Sequence, residues 1–219
     1  MEQWEYDLRD DIFNAFLSNN RKAATFLIED LIGKKSGGLF YRYRPLDMAE
    51  LSCIRFDQIY FCRAIRFDSH AADESWIRFK SYVSCFTDRK NSLHMWSDYA
   101  NEAHGMCLEY SYEDIVGFAE ENELLFSPVR YSNETLPVKD QVSSFMSMMN
   151  KPLYESDEAE WRLWKIDLHS SDIGKLMASI HPRKIILGHN ADPDSYLIEE
   201  LEEIAMEKDI ELIQPALRV

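Results

Sequence analysis

Glycine scarcity is the feature that most constrains this chain. Only seven of the 219 residues are glycine, under half of the usual share of about 7%. They are Gly33, Gly37, Gly38, Gly105, Gly117, Gly174 and Gly188. No pair is spaced G-x-G, and no segment reads GxxxxGK[ST]. The Rossmann and P-loop motifs need such glycines to bring backbone amides against phosphate. Both motifs are therefore excluded, and any nucleotide must be held by side chains.

The net charge and the cysteine content indicate which partners and which cellular compartment to expect. The net charge of −15 argues against non-specific nucleic-acid binding and against binding to an anionic membrane. The acidic N-terminus does not resemble a signal peptide, and no apolar stretch approaches membrane-spanning length. The four cysteines contain no CxxC pair, which favours free thiols over a zinc site. We therefore expect a cytoplasmic protein with no membrane partner and no bound metal.

The periodicity of apolar residues predicts an α+β fold. Residues 1–33 show helical spacing twice, which predicts an N-terminal α-helical hairpin. The glycine-containing segment 33–38 is the best linker, so we divide the chain into a helical extension, 1–36, and a single α+β domain, 37–219. Short strands are expected at Leu39–Arg44, Tyr82–Phe86 and Glu160–Ile166, among others. Strands do not alternate regularly with long helices, which favours a mixed sheet over a doubly wound one.

An arginine-rich segment stands out in this acidic chain. Residues 41–90 carry nine Lys/Arg and seven Asp/Glu, a balance of +2. On the strand LFYRYR, Tyr41 and Tyr43 point to one face, and Arg42 and Arg44 point to the other. Two guanidinium groups on one face suit a bidentate grip on phosphate or carboxylate. The alternative is an exposed strand face whose arginines pair with surface acids.

The motif Glu158-Ala-Glu160 is a candidate for carboxylate chemistry. Strand alternation predicts that both glutamates share one face with Arg162. Beside a cleft, such a carboxylate stabilises the positive charge of an oxocarbenium-like sugar cation. Two glutamates at this spacing are also common in surface loops. Ser84, in the strand YVSCFT, has a hydroxyl able to orient such a site, although it is equally an ordinary strand serine.

Another polar cluster lies on the short helix LHMWSDYAN. His94 and Asp98 are four residues apart, close enough to touch or to share a metal ion. Trp96 and Tyr99 lie on the same helix and supply aromatic surface. The chain has no HExxH motif. A structural histidine is therefore the simpler interpretation of His94, with a ligand or a general base as the alternatives.

The ordered segments resemble a large bacterial family built on a domain of unknown function. They are YRYRP, IYF with RFDSHAADE, SCFT, LHMWSDYANEAHGMCLEY, EWRL and KIILG. The resemblance covers about residues 39–190 and is most specific from Met95 to Cys107. The chain departs from the family at Asp68-Ser69-His70, where an N-D-P turn is usual, and Glu74 is displaced. The family supplies no activity by itself.

The order of arginine, Ser84 and the E-x-E motif is similar to the layout of ADP-ribosyltransferases. That resemblance implies NAD as a co-substrate rather than a tightly bound cofactor. Arg42 or Arg44 would grip the pyrophosphate, Ser84 would orient the site, and Glu160 would stabilise the ribosyl cation, with Glu158 beside it. Aromatic surface for nicotinamide or adenine would come from Tyr41, Tyr43, Trp96 and Tyr99. A protein or nucleic-acid target would receive the ADP-ribosyl group.

Two other functions fit the same residues. A non-catalytic regulatory module would use the arginine face for an anionic ligand or peptide, and the acidic C-terminal helix for a partner. A metal-free hydrolase or nuclease would use Glu158, Glu160 and His94. Convergence of the arginine, serine and glutamate side chains on one cleft is what the transferase hypothesis requires of the structure.

Overall fold

A computed structural model describes residues 1–35, 37–64, 76–134 and 140–214. The helices are α1 Gln3–Leu17, α2 Arg21–Lys34, α3 Met48–Arg55, α4 Trp76–Lys80, α5 Leu93–Asp98, α6 Tyr112–Glu121, α7 Gln141–Ser147 and α8 Tyr196–Glu207. The strands are β1 Leu39–Arg44, β2 Gln58–Arg63, β3 Ser81–Thr87, β4 Met106–Ser111, β5 Leu125–Pro128, β6 Arg130–Tyr131, β7 Asn150–Lys151, β8 Glu160–Ile166, β9 Gly174–Ala178, β10 Lys184–Leu187 and β11 Glu211–Ile213. A 3-10 helix spans Leu153–Glu158. The predicted α+β class and N-terminal helix pair are confirmed. The unusual turn at 68–74 lies outside the described residues.

In the ranges that the structure describes, nine strands form one mixed sheet that divides at β3. Its main order is β11-β10-β4-β1-β3-β2-β9, and β8 and β5 continue from β3 on the other side. The pair β10–β11 is parallel, whereas β3 pairs antiparallel with all its neighbours. One edge of β3 pairs with β8 along its whole length. Among the described residues, the opposite edge pairs with β1 only at Thr87 and with β2 only at Tyr82 and Val83. Strands β1 and β2 thus separate beside residues 84–86, and we call this opening the fork.

The N-terminal helices are packed into the core of the sheet. Leu8 and Ile12 of α1 and Leu31 of α2 are buried in the same apolar cluster as Phe40 and Trp161. Their spacing on each helix explains why one face turns inward. The division of the chain at residue 36 stays a prediction, since the helix pair and the sheet share this core.

Buried charges fix α1 to the beginning of β8. Arg9 is 1% exposed, and its guanidinium donates to the carbonyl oxygens of Val129 and Glu160, each at 3.0 Å. It also donates to Asp88 Oδ2 at 3.0 Å, as does Lys35 Nζ at 2.7 Å. Lys35 also pairs with Glu5. These residues, Glu5, Arg9, Lys35 and Asp88, are called the anchor cluster below. The cluster fixes the backbone at the position where the E-x-E motif enters the sheet.

Candidate functional site

A cavity of about 260 Å³ opens at the fork. Most of the residues predicted from the sequence line it: Tyr41, Arg42, Tyr43, Arg44, Ser84, Tyr99, Glu158 and Glu160. They come from β1, from β3, from the residue after α5, from the end of the 3-10 helix and from the start of β8. Trp96 is not brought to the cavity, because it packs edge-to-face on Tyr43 with ring centroids 5.0 Å apart. The roles of these residues in binding or catalysis stay predictions.

The strand register places the lining residues on two faces of the sheet. Tyr41 pairs with Thr87, and Thr87 pairs with Glu160, so Tyr41 and Glu160 share one face. Arg42 and Ser84 alternate with these positions and point to the opposite face. A continuous sheet would keep the two sets apart. The fork removes that barrier, so one cavity is lined from both faces.

The two arginines of β1 have different surroundings. Arg44 Nε donates to Glu50 Oε1 at 2.6 Å, and a second guanidinium nitrogen contacts the same oxygen. Arg42 is 7% exposed and lies over the ring of Phe86, with its guanidinium carbon 5.4 Å from the ring centroid. No carboxylate of the described residues forms an ion pair with Arg42, and its buried Nε has no hydrogen-bond partner there. Neither arginine lies on an exposed strand face, and Arg42 is the better candidate to bind an anion.

Ser84 is the second polar group on the Arg42 side of the cavity. Its side chain is 2% exposed, and its buried Oγ has no partner within the described part of the chain. Leaving such a group unsatisfied costs about 1–3 kcal/mol. A ligand hydroxyl or phosphate oxygen near Ser84 would remove that penalty. We call Arg42 and Ser84 the open wall.

Two glutamates and their cations form the opposite wall. Arg162 donates two hydrogen bonds to the carboxylate of Glu160, from Nε to Oε1 at 2.6 Å and from NH2 to Oε2 at 3.0 Å. Lys151 Nζ lies 3.3 Å from Glu160 Oε2 and donates to Glu158 Oε2 at 2.5 Å. Tyr99 donates its hydroxyl to Glu158 Oε1 at 2.9 Å. We call Glu158, Glu160, Lys151 and Arg162 the paired wall.

Opposite charges keep Glu160 ionised despite its burial. Burial raises the pKa of a carboxyl group, but Arg162 and Lys151 outweigh it and lower the pKa of Glu160 to about 2. Burial alone would lower the pKa of Lys151, whereas its three glutamate neighbours raise it well above the ordinary range. Glu160, Lys151 and Arg162 are therefore charged at neutral pH, and the two cations contact the carboxylate directly.

The two glutamates meet for a reason that strand alternation did not predict. The prediction that Glu158 and Glu160 share a strand face is wrong, because β8 begins only at Glu160. Glu158 is the last residue of the 3-10 helix, and Ala159 has the left-handed backbone angles φ 43° and ψ 47°. This sharp bend, rather than a period of two, turns both carboxylates toward Lys151.

Sequence reasoning did not identify Lys151 as part of the site. It lies on the two-residue strand β7 and contacts Glu155, Glu158 and Glu160. Its spacing of four from Glu155 is a weak helical signal, but no motif marks the residue. Lys151 belongs to the site only because the 3-10 helix folds the chain back on itself.

His94 lies beside the paired wall and is exposed to solvent. Its Nδ1 is 3.4 Å from Asp98 Oδ2, and its Nε2 is 3.7 Å from Glu158 Oε1. The side chain is 46% exposed. This position differs from that of a histidine buried in the core, and the predicted contact with Asp98 is present.

Comparison with known proteins adds no relative to these observations. No family model, curated protein or solved structure matches the chain. The resemblance to the bacterial family therefore stays a prediction. Over the described ranges, no helix is long and apolar enough to cross a membrane. No cluster of three or more His, Cys, Asp or Glu side chains suited to a metal ion occurs among the same residues.

Proposed function

We propose that this chain binds NAD in the fork cavity and transfers its ADP-ribosyl group to a macromolecular target. The observation that supports this most strongly is the meeting of Arg42, Ser84 and Glu160 at one cavity. Arg42 and Ser84 are 42 positions apart in sequence, and Ser84 and Glu160 are 76 positions apart. Helix–sheet packing alone gives no reason for polar groups from β1, β3 and β8 to line one opening.

Each wall suits a different part of the dinucleotide. On the open wall, the Arg42 guanidinium would bind a phosphate oxygen, and Ser84 would bond to a ribose hydroxyl. On the paired wall, a carboxylate would face the ribose attached to nicotinamide. The cavity, about 260 Å³, is slightly below the usual range of about 300–1,000 Å³ for ligand sites. It therefore suits nicotinamide and its ribose, with the adenosine part extending outward.

The reaction develops positive charge where the chain places negative charge. Breaking the bond between nicotinamide and the ribose C1′ atom leaves an oxocarbenium-like sugar, which a carboxylate stabilises. Glu160 is ionised at neutral pH and is held rigidly by Arg162. Its orientation is therefore set before the ligand binds, which is how electrostatic stabilisation becomes effective. Tyr41 and Tyr99 would offer ring surface to the bases.

The transferase proposal is tested with the full chain and labelled NAD. We expect release of nicotinamide and labelled product with the wild type. Loss of at least about 100-fold is expected with Glu160→Gln. Since this substitution also removes the carboxylate that pairs with Arg162, each variant is first checked for a cooperative unfolding transition. Glu211→Gln, on an exposed strand residue, is the matched control. Absence of turnover in every condition, or full turnover by folded Glu160→Gln, contradicts the proposal.

A non-catalytic anion-binding module is the second candidate. It is favoured by the contrast between the walls. Both glutamates are already bonded to cations, whereas Arg42 Nε and Ser84 Oγ have no hydrogen-bond partner among the described residues. Calorimetry with NAD, ADP-ribose and inorganic phosphate distinguishes the two functions. Binding of these ligands without any consumption of NAD supports the module. Catalytic loss of NAD rules it out in favour of the transferase.

A further inference from the structure

The exposed pair of His94 and Asp98 stands next to the cavity without lining it. Asp98 contacts Nδ1 of the ring, which leaves Nε2 on the side of Glu158, a residue that does line the cavity. Because Nε2 lies 3.7 Å from Glu158 Oε1 and the side chain is 46% exposed, the imidazole is within reach of a group that contacts Glu158. This arrangement, with a carboxylate behind a histidine, orients the ring for proton transfer.

The cavity carboxylates are poor bases for such a proton. Both oxygens of Glu160 are bonded to Arg162, and a carboxyl group whose pKa is about 2 has little affinity for a proton at neutral pH. Both oxygens of Glu158 are also occupied, one by Tyr99 and one by Lys151. An imidazole, by contrast, exchanges protons readily around neutrality.

We propose that His94 is the general base that removes a proton from a hydroxyl group as that hydroxyl attacks the ribose of bound NAD. This inference rests on the transferase function proposed above. It identifies the acceptor class as a neutral hydroxyl, of a target side chain, of a sugar or of water. A permanently charged guanidinium would not be deprotonated by an imidazole.

The step is balanced without any further reactant. The bond between ribose C1′ and the nicotinamide nitrogen breaks, and its electron pair leaves with nicotinamide. The hydroxyl oxygen forms a new bond to C1′, and its proton moves to Nε2 of His94. The imidazolium formed lies between two carboxylates, Asp98 and Glu158, and it then returns the proton to water.

The pH dependence follows from the groups that face His94. Within α5 and the residue after it these are Asp98 and Tyr99, and from the 3-10 helix Glu158 faces the ring with Lys151 behind it. A protonated imidazole cannot accept a proton, so transfer by the wild type should decrease as the pH is lowered.

The experiment uses the full chain, NAD as donor, and water or methanol as acceptor. With His94→Gln we expect kcat to decrease about 100-fold and the acid limb of the pH profile to disappear. The KM for NAD should stay within about twofold. Added imidazole should restore part of the rate in His94→Ala. The matched control is His181→Gln, since His181 Nδ1 also lies 3.4 Å from a carboxylate, that of Asp57, and is 52% exposed.

The outcomes separate this inference from the function on which it rests. If the wild type turns over NAD and His94→Gln keeps its kcat and acid limb, His94 is not the base, whereas the transferase proposal stands. A raised KM with unchanged kcat shows a binding role and overturns the inference in the same way. A wild type that consumes no NAD overturns both. Loss of rate in His181→Gln equal to that in His94→Gln also contradicts the assignment.

Discussion

The anchor cluster and the fork cavity both bury charged side chains near the start of β8, yet the arginine in each has different partners. In the anchor cluster, Arg9 has two backbone carbonyl acceptors and the carboxylate of Asp88. At the cavity, Arg42 is almost as buried but forms no ion pair with a described residue. Removing a buried cation that has carbonyl and carboxylate acceptors leaves those acceptors unpaired and destabilises the fold, whereas a buried cation without a carboxylate partner reduces stability unless a ligand supplies one. Burial alone therefore does not distinguish a structural arginine from one that binds a ligand.

The largest effect is expected from Arg9→Met. This change removes a buried cation from Asp88 and the donors from two carbonyl groups, which should lower the free energy of unfolding by about 3–5 kcal/mol. Urea denaturation measures the change. Arg55→Met is the control, because Arg55 is half-buried in an ion pair with Glu200 and should lose at most about 1 kcal/mol. Equal losses of unfolding free energy in the two variants would show that the anchor cluster has no special structural role.

The next largest effect is a pH-dependent one at Glu160. Because its pKa falls from 4.5 to about 2 on folding, ionised Glu160 stabilises the protein above the unfolded value. This shift of the pKa corresponds to a contribution of roughly 3 kcal/mol to the free energy of unfolding at neutral pH. The difference in unfolding free energy between wild type and Glu160→Gln should therefore shrink as pH falls from about 5 toward about 2. A difference that stays constant over that range would show that the paired wall is not held by charge.

A smaller loss is expected from Tyr99→Phe. The hydroxyl of Tyr99 donates one hydrogen bond to Glu158, and the ring is 42% exposed. Removing the hydroxyl should lower the free energy of unfolding, measured by urea denaturation, by about 1 kcal/mol. Tyr196→Phe, on a tyrosine 66% exposed, is the matched control and should change little. A loss above about 3 kcal/mol would mean that the paired wall behaves like the anchor cluster.

The smallest effect on stability is expected from Arg42→Met. The substitution removes a buried cation that has no carboxylate partner in the described structure, so the free energy of unfolding should change by less than about 1 kcal/mol, or rise. NAD binding, measured by calorimetry, should be lost in the same variant. A loss of stability as large as that of Arg9→Met would erase the contrast between the two arginines.

Local patterns in the sequence predicted the elements well. The apolar spacing of Leu8 and Ile12 identified α1, and the alternation in LFYRYR identified β1 with its bounds, Leu39–Arg44. Strand β8 also begins and ends where the pattern placed it, at Glu160 and Ile166. These features depend on neighbours within a few positions, which is what periodicity records.

The geometry of the candidate site depends on contacts that periodicity does not record. Arg9 is 151 positions from Glu160, yet its guanidinium holds that residue's carbonyl. Lys151 enters the site through a 3-10 helix and a left-handed residue, Ala159. The same limit made the strand argument for Glu158 wrong. Sequence order named residues that the structure brings to one cavity, but it did not identify Lys151, which contacts both glutamates.

The fork has a consequence for a chain with so few glycines. Along residues 84–86, no strand of the described part of the chain is paired to the edge of β3 that faces the opening. Peptide N–H and C=O groups on such an edge remain able to bond a guest molecule. Glycine-rich loops expose their amides by dispensing with side chains, whereas this protein exposes them by parting two strands. Main-chain recognition is thus open to it in spite of its composition, through the architecture of the sheet.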